Sequence, residues 1–403
     1  MPKFLKFAQV ITMLFCVACS AGIDKSREAE FSLSADRDSI AHSDITGTSS
    51  GLNASYNTSA THSSLTKSSS IIDFNTAIST IEIILLPKKP LIGKIKDILK
   101  HQDETFVVDD IYSNIKVYDK NLNFIREIGK KGTGPGEYMG ISQAFIKNDL
   151  LHIFSYFNKS IFIYETDGEY VRQVKLEDHP ETILPLGDNF LGYMDFGSGN
   201  SKKPNLILFS AKGEIMEMDL LDHTMSQRIG FVGGISKDVN SNDFYYHESF
   251  SKMLTKWNPQ FNMVQTFDAN FFEYPYEGNY QNVNINAAEA FQYFLRFNNS
   301  FNDKIFFTYY DRKNLREGFA DLANGLIYSE DQIKPSHLPL FISNVRFKDQ
   351  DNYCYALPQL EKLYMMKDFI DFSFPKMPDS FGSKLKSMAL EEDDKFFIRF
   401  KMK

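Results

Sequence analysis

The chain has 403 residues, 43% of them hydrophobic, and a formal charge of −8 at pH 7. That sign argues against a nucleic-acid partner, because duplex binding rests on cationic neutralisation of phosphates and no sustained basic run is present. Ordinary Gly and Pro content excludes a fibrous or wholly disordered chain, and 37 Phe with 20 Tyr against one Trp favour strands, where flat rings pack on a pleated surface.

Residues 1–18 read as a targeting segment. Lys3 and Lys6 precede an apolar run from Phe7 to Ala18. The run is too short for a membrane span, which needs about 20 residues, and fits the apolar region of a secretory signal. It ends in Val17-Ala18-Cys19, which resembles a bacterial lipobox, with Cys16 where Leu is usual. The resemblance implies cleavage before Cys19, acylation of that residue, and the membrane as a partner through its acyl chains. Two or more chains anchor stably, at about 0.8 kcal/mol per buried methylene. Cys354 is then the one remaining thiol, so no intramolecular disulfide is expected. Its setting, "DNYCYAL", is that of a small core residue.

Residues 19–73 comprise Cys19 and a flexible spacer rich in Ser, Thr and Asn, which offers too little apolar surface to offset the entropy of ordering. From residue 74 the pattern changes to a repeat. "IKVYDKNLNFIREI" begins at Ile115, "IFIYETDGEYVRQV" at Ile161, "LILFSAKGEIMEMD" at Leu206 and "LTKWNPQFNMVQTF" at Leu254. Each has alternating apolar residues, an aromatic at its fourth position, a central turn and a second alternating run, the signature of strand, turn, strand. Further strands, "TFVVDD" (105–110), "LLHIFSY" (150–156) and "NFLGYMDF" (189–196), lie upstream of the first three.

A four-stranded unit of about 46 residues cannot bury both of its faces alone; units stacked radially bury them against one another, as in a β-propeller. The expectation is an all-β, six-bladed β-propeller of four-stranded antiparallel blades over 74–403. "STIEIILL" (79–86) and the closing "EEDDKFFIRFKMK" would seal the ring by sharing one blade, which removes two exposed edges. Short helical insertions are expected near the C-terminus, around "LPQLEKLYMM" and "DSFGSKLKSMALEE".

Between the first two repeats lies "IGKKGTGPGEY" (128–138). It lacks the Gly-Lys-Ser/Thr ending of a phosphate loop, and Pro135 removes an amide N–H that a phosphate cradle would use. Gly132, Gly134, Pro135 and Gly136 therefore read as a structural turn. This stretch, the upstream "PLIGKIKDILK" and the closing strand resemble the six-bladed β-propeller lipoproteins of Bacteroidota, similar in outline to NHL-type propellers. The resemblance covers roughly 74–403. It implies a fold and an envelope location, read with the lipid anchor as the outer membrane, and supplies no catalytic residues. The stretch "SAGIDK" after Cys19 offers only Asp24 as an early acid, which favours a periplasm-facing body over a cell-surface one.

No His-x-x-x-His or His-Glu-x-x-His spacing occurs, and no Gly-x-Ser-x-Gly spacing falls within 74–403, so no catalytic residue, metal ligand or cofactor is assigned. The aromatic stretches "FYYHESF" and "NFFEYPYEGNYQNVN" supply ligand-binding candidates Tyr245, Tyr246, His247, Tyr274, Tyr276 and Tyr280. Rings beside amides and acids suit a sugar or peptide, although such rings also pack between blades. The reading is a membrane-anchored binding or scaffold module for a glycan, peptide or outer-membrane protein. The alternative is a propeller hydrolase or lyase using axial acids or His with a bound metal.

Overall fold

The repeat of the sequence becomes a repeated antiparallel meander in the computed structural model, which describes residues 60–194, 206–219, 234–247, 253–271, 292–312, 314–334, 342–358 and 394–403. The chain enters through β1 (Thr61–Lys67) and β2 (Ile72–Asp73), makes one helical turn at Phe74–Ala77 and continues into β3 (Ile78–Leu85). A first meander follows: β4 (Ile95–His101), β5 (Glu104–Asp109), β6 (Asn114–Tyr118) and β7 (Phe124–Ile128). A short parallel pair, β8 (Lys130–Lys131) and β9 (Glu137–Tyr138), leads to the second, β10 (Gln143–Lys147), β11 (Leu150–Ser155), β12 (Ser160–Glu165) and β13 (Tyr170–Lys175). The third is β14 (Thr182–Leu186), β15 (Asn189–Tyr193), β16 (Leu206–Phe209) and β17 (Ile215–Asp219). Two further runs are β18 (Gly234–Lys237), β19 (Phe244–His247), β20 (Met253–Trp257) and β21 (Met263–Ala269), then β22 (Gln292–Phe297), β23 (Lys304–Asp311), β24 (Asn314–Asp321) and β25 (Leu326–Tyr328). A 3₁₀ turn at Glu330–Gln332 and β26 (Ile333–Lys334) precede β27 (Val345–Lys348), β28 (Cys354–Ala356) and β29 (Phe396–Met402).

The arrangement is all-β and propeller-like, with four separate four-stranded blades. Three are consecutive meanders; the fourth, in the order β27-β28-β29-β3, is assembled from both ends of the chain. Phe396 faces Leu85 and Phe400 faces Ile81, so the early strand forms the outer edge of a sheet completed by the last residues. The segments read as helical near the C-terminus fall almost entirely within 359–393, outside the described residues.

The other two runs share a nine-stranded sheet through β1. Thr61–Leu65 pair in parallel with Gln265–Ala269, and Thr66 and Lys67 with Leu326 and Ile327. β2 likewise pairs in parallel with β26. The end of the expected spacer, residues 61–73, is thus part of the folded body. The sequence concealed this because β1 buries only Leu65. The strand is held instead by backbone pairing, which covers two sheet edges that would otherwise be open.

Successive side chains on a strand point to opposite faces, so each meander feeds two cores. Val108 and Val117 pack with Leu151 and Phe162 of the second sheet, while Val107 and Tyr118 pack the other way, with Phe397 and Leu86 of the sheet made by the chain ends. Ile161 and Phe154 meet Ile207 and Phe209. Leu191 meets Phe244 and Trp257. Phe267 meets Ile305 and Phe307 with Leu65 among them, and Phe306 and Phe319 meet Phe396 and Ile398.

The aromatic at the fourth position of each repeat has a structural cause. The ladder slips at Val117/Tyr118, Ile163/Tyr164, Leu208/Phe209 and Lys256/Trp257, so each of these buried rings sits at a β-bulge, where the strand bends into its turn. The turns are closed by side-chain oxygens. Asp119 Oδ1 accepts from the N–H groups of Asn121 and Asn123, and Asn258 Oδ1 from those of Gln260 and Asn262. Local bonding of this kind is why Asn and Asp favour such turns.

Candidate functional site

The glycine-rich stretch 128–138 folds onto itself. The Glu137 N–H donates to the Gly134 carbonyl at 2.9 Å, and the Gly134 N–H donates to Glu137 Oε2 at 2.9 Å. Lys130 Nζ holds the other oxygen of that carboxylate at 2.7 Å. The loop amides an anion would need are thus turned toward the chain's own carboxylate. Tyr138 is buried against Phe162, and the Tyr164 hydroxyl donates to the Gly136 carbonyl. Gly129, at φ +71, faces the Tyr138 ring so closely that a Cβ would lie 2.4 Å from its hydroxyl. Gly132 has the same constraint from Glu137.

The candidate site lies elsewhere, where the first strands of the meanders approach one another. A cavity of about 540 Å³ is lined by β4, β10, β14, β18 and β27, with residues from the end of β22. Such strands carry an unpaired edge, and side chains of their neighbours satisfy much of it. The Ile183 N–H donates to Gln143 Oε1 at 2.6 Å. Asn299 accepts from the Lys237 N–H at 3.0 Å and donates to the Val345 carbonyl at 2.8 Å. Arg346 reaches from β27 to β4, where its Nε lies 3.3 Å from Asp97 Oδ1 and a terminal nitrogen donates to the Lys96 carbonyl at 3.3 Å.

These bonds leave polar groups facing the cavity. Burial raises the Asp97 carboxyl above the usual carboxylate value, against the pull of the Arg346 guanidinium and the Ile98 N–H. The Ser236 hydroxyl is buried and has no hydrogen-bond partner among the described residues. Asn298, Asn344 and Glu181 also line the space, beside the rings of Phe145, Phe297 and Phe347. The arrangement combines hydrogen-bonding groups of both senses with flat apolar surfaces, which suits a small polar ligand with an apolar face.

The sequence-derived candidates divide. His247 lines the cavity, buried, with its ring edge-on to Phe297 at 4.8 Å. Tyr245 and Tyr246 precede it on β19, a strand rather than a loop, and alternation sends them to opposite cores. Tyr245 packs with Phe267 and Phe307, under the Lys256 ammonium at 5.5 Å. Tyr246 packs beside Tyr193 at 6.4 Å. Tyr274, Tyr276, Tyr280 and Cys19 lie outside the described residues. Sequence reasoning missed Asp97, Gln143, Ser236, Asn299 and Arg346, which sit in no catalytic or ligand-binding motif. The one available signal was polar residues inside short strand-like runs such as "IKDILKH". Among the described residues, no three His, Cys, Asp or Glu side chains converge to hold a metal, and no helix is long and apolar enough to cross a membrane.

Comparison with known proteins agrees with the fold. A protein from Bacteroides fragilis NCTC 9343, assigned as exported, superposes with a TM-score of 0.61 at 18% identity, over 85% of this chain and 100% of its own. A member of the DUF4221 family from Bacteroides vulgatus aligns with a TM-score of 0.49 at 9% identity, over 82% and 99%. A streptogramin B lyase gives 0.41 at 13%, over 69% and 80%. Among curated proteins, none matches the sequence. The family model of a domain of unknown function, DUF4934, matches residues 59–398, nearly the whole of the folded body, and the chain belongs to that family.

Proposed function

We propose that the chain is a lipid-anchored binding module whose propeller-like body takes a small polar ligand, a glycan or a peptide, in the cavity between its first strands. The two meanders of the nine-stranded sheet count as two further blades, six in all, with β1 as a clasp between them. Acyl chains on Cys19 hold this body at the outer membrane, on the periplasmic side, in the manner of the Bacteroidota lipoproteins it resembles. The observation that carries the reading is the cavity lined by Asp97, Arg346, Ser236 and His247. Its buried Ser236 hydroxyl, without a partner among the described residues, is a group that a polar ligand would satisfy.

The test is calorimetric titration of the full chain with a panel of oligosaccharides and short peptides. Binding by one of these classes is expected. Ser236→Ala should leave the fold intact and weaken that binding by about tenfold, the loss of roughly one hydrogen bond. Failure of both classes to bind, or full affinity in Ser236→Ala, would sink the proposal.

A further inference from the structure

The three most solvent-exposed large apolar side chains among those described are Phe157 at 75%, Ile111 at 62% and Leu91 at 61%. Scattered apolar residues on a surface need no explanation, but these three share one end of the molecule. In an up-and-down meander, the connection between second and third strands and the connection leaving the fourth lie at the same end. Ile111 lies between β5 and β6, Phe157 lies between β11 and β12, and Leu91 lies on the approach to β4. Exposed Tyr112 and Met139 belong to the same set of connections.

Contacts make this end of the first two sheets continuous. A Cβ on Gly93 would meet the Ile111 side chain at 2.5 Å, and one on Gly140 would touch the Phe157 ring at 3.7 Å. Lys96 joins the two loops, with its Nζ 3.1 Å from Asp110 and 2.6 Å from the Ile141 carbonyl. The charge on the first sheet's connections is one-sided. Asp109, Asp110, Glu137 and Asp394 are each paired with a lysine. Lys89, Lys131 and Lys159 are exposed on the same connections and form no ion pair among the described residues. Glu177, Asp178 and Glu181 leave β13 at this same end, just past Leu176, whose N–H donates to the Lys159 carbonyl at 2.9 Å, so the cationic surface is that of the first sheet and stops at Lys159.

We propose that this end of the first two sheets docks onto an anionic lipid surface. The apolar side chains project singly from separate loop tips, a form that enters the boundary between headgroups and acyl chains, and the lysines around them attract anionic headgroups. A protein partner would instead be expected to meet a continuous, well-packed apolar core. Charge complementarity and side-chain form thus both select the lipid. The proposal needs neither the acylation of Cys19 nor the cavity ligand.

The test uses the full chain with Trp257→Phe, which removes its single tryptophan. One reporter is introduced by Phe157→Trp. A control is introduced by Phe124→Trp, which is exposed at the opposite end of the first sheet. Because each reporter reads its own position, attachment of the chain elsewhere does not confuse the result. Vesicles of brominated phosphatidylglycerol should extinguish most of the emission from position 157 and little from position 124. Brominated phosphatidylcholine should do so weakly, and combining Lys89→Glu, Lys131→Glu and Lys159→Glu should abolish the effect. Equal quenching at both positions, equal quenching by both lipids, or no quenching at position 157 would each overturn the proposal.

Discussion

The Lys116 ammonium sits 3.0 Å from the Asp109 carboxylate, with 3% and 0% of the two side chains open to solvent. Asp109 also accepts from the N–H groups of Gly93 at 2.8 Å and Ile111 at 3.0 Å, fixing the entry to β4 against the loop after β5. Removing one member of such a pair leaves the other charged and buried, at a cost of about 3–5 kcal/mol. Asp109→Ala should therefore lower the midpoint of urea unfolding sharply. Burial alone would raise the carboxyl, but bonds from the Gly93 N–H, Lys116 and the Tyr112 N–H prevail and hold it below 3.8. A depressed carboxylate contributes stability above its unfolded value, so this contribution is whole above pH 3.8 and is lost as the pH falls below it. Asp109→Asn should flatten the stability profile in that acid range; an unchanged profile would contradict the assignment.

His152 shows the opposite balance. It is buried between Phe145, stacked at 5.3 Å, and Phe190. Burial lowers its imidazole from 6.5 to about 4, against a bond to the Leu150 carbonyl that favours the proton. The unfolded chain takes up the proton first, so stability is whole above pH 6.5 and falls as the pH drops towards 4. The loss across that window is a few kcal/mol, at about 1.4 per unit. His152→Phe should remove the slope between pH 6.5 and 4 in thermal unfolding scans, and its persistence would place the titrating group elsewhere.

Leu65 is the anchor of β1. Leu65→Ala leaves a hole among Phe267, Phe307 and Ile327 and should cost about 2–5 kcal/mol, as buried leucine truncations do. Removing residues 1–70 should do something different. It uncovers the edges of β21 and β25, and open edges pair between molecules. Light scattering after size exclusion should report oligomers for the truncation and a single copy for Leu65→Ala.

Cys354 is buried, and its surroundings push the thiol up to about 12. Only the thiolate reacts. Peptide mapping after iodoacetamide treatment should find Cys354 unmodified in the native chain and fully modified in urea. Native modification would place the residue at an accessible surface.

How far the sequence reveals this molecule depends on which strand is read. The hairpins at 115, 161, 206 and 254 are legible because both strands alternate and the fourth-position ring marks the bulge. The innermost strands are not. "IKDILKH" and "QAFIK" mix charge with apolar residues because one edge faces a polar cavity, so they resemble loops. β1 is illegible for another reason: its partners lie about 200 residues away and its pairing uses backbone groups common to every sequence. The cavity gathers Asp97, Ser236 and Arg346 from three distant strands, and only folding brings them together.

The pairing of β3 with β29 also orders events in time. Until residues 396–402 have left the ribosome, the strand 78–85 has no neighbour on that side, and contacts so distant in sequence form slowly. A nascent chain must wait for residues 396–402 before the body can shut. A chain that stopped before residue 396 would therefore be a product whose strand 78–85 never finds its mate.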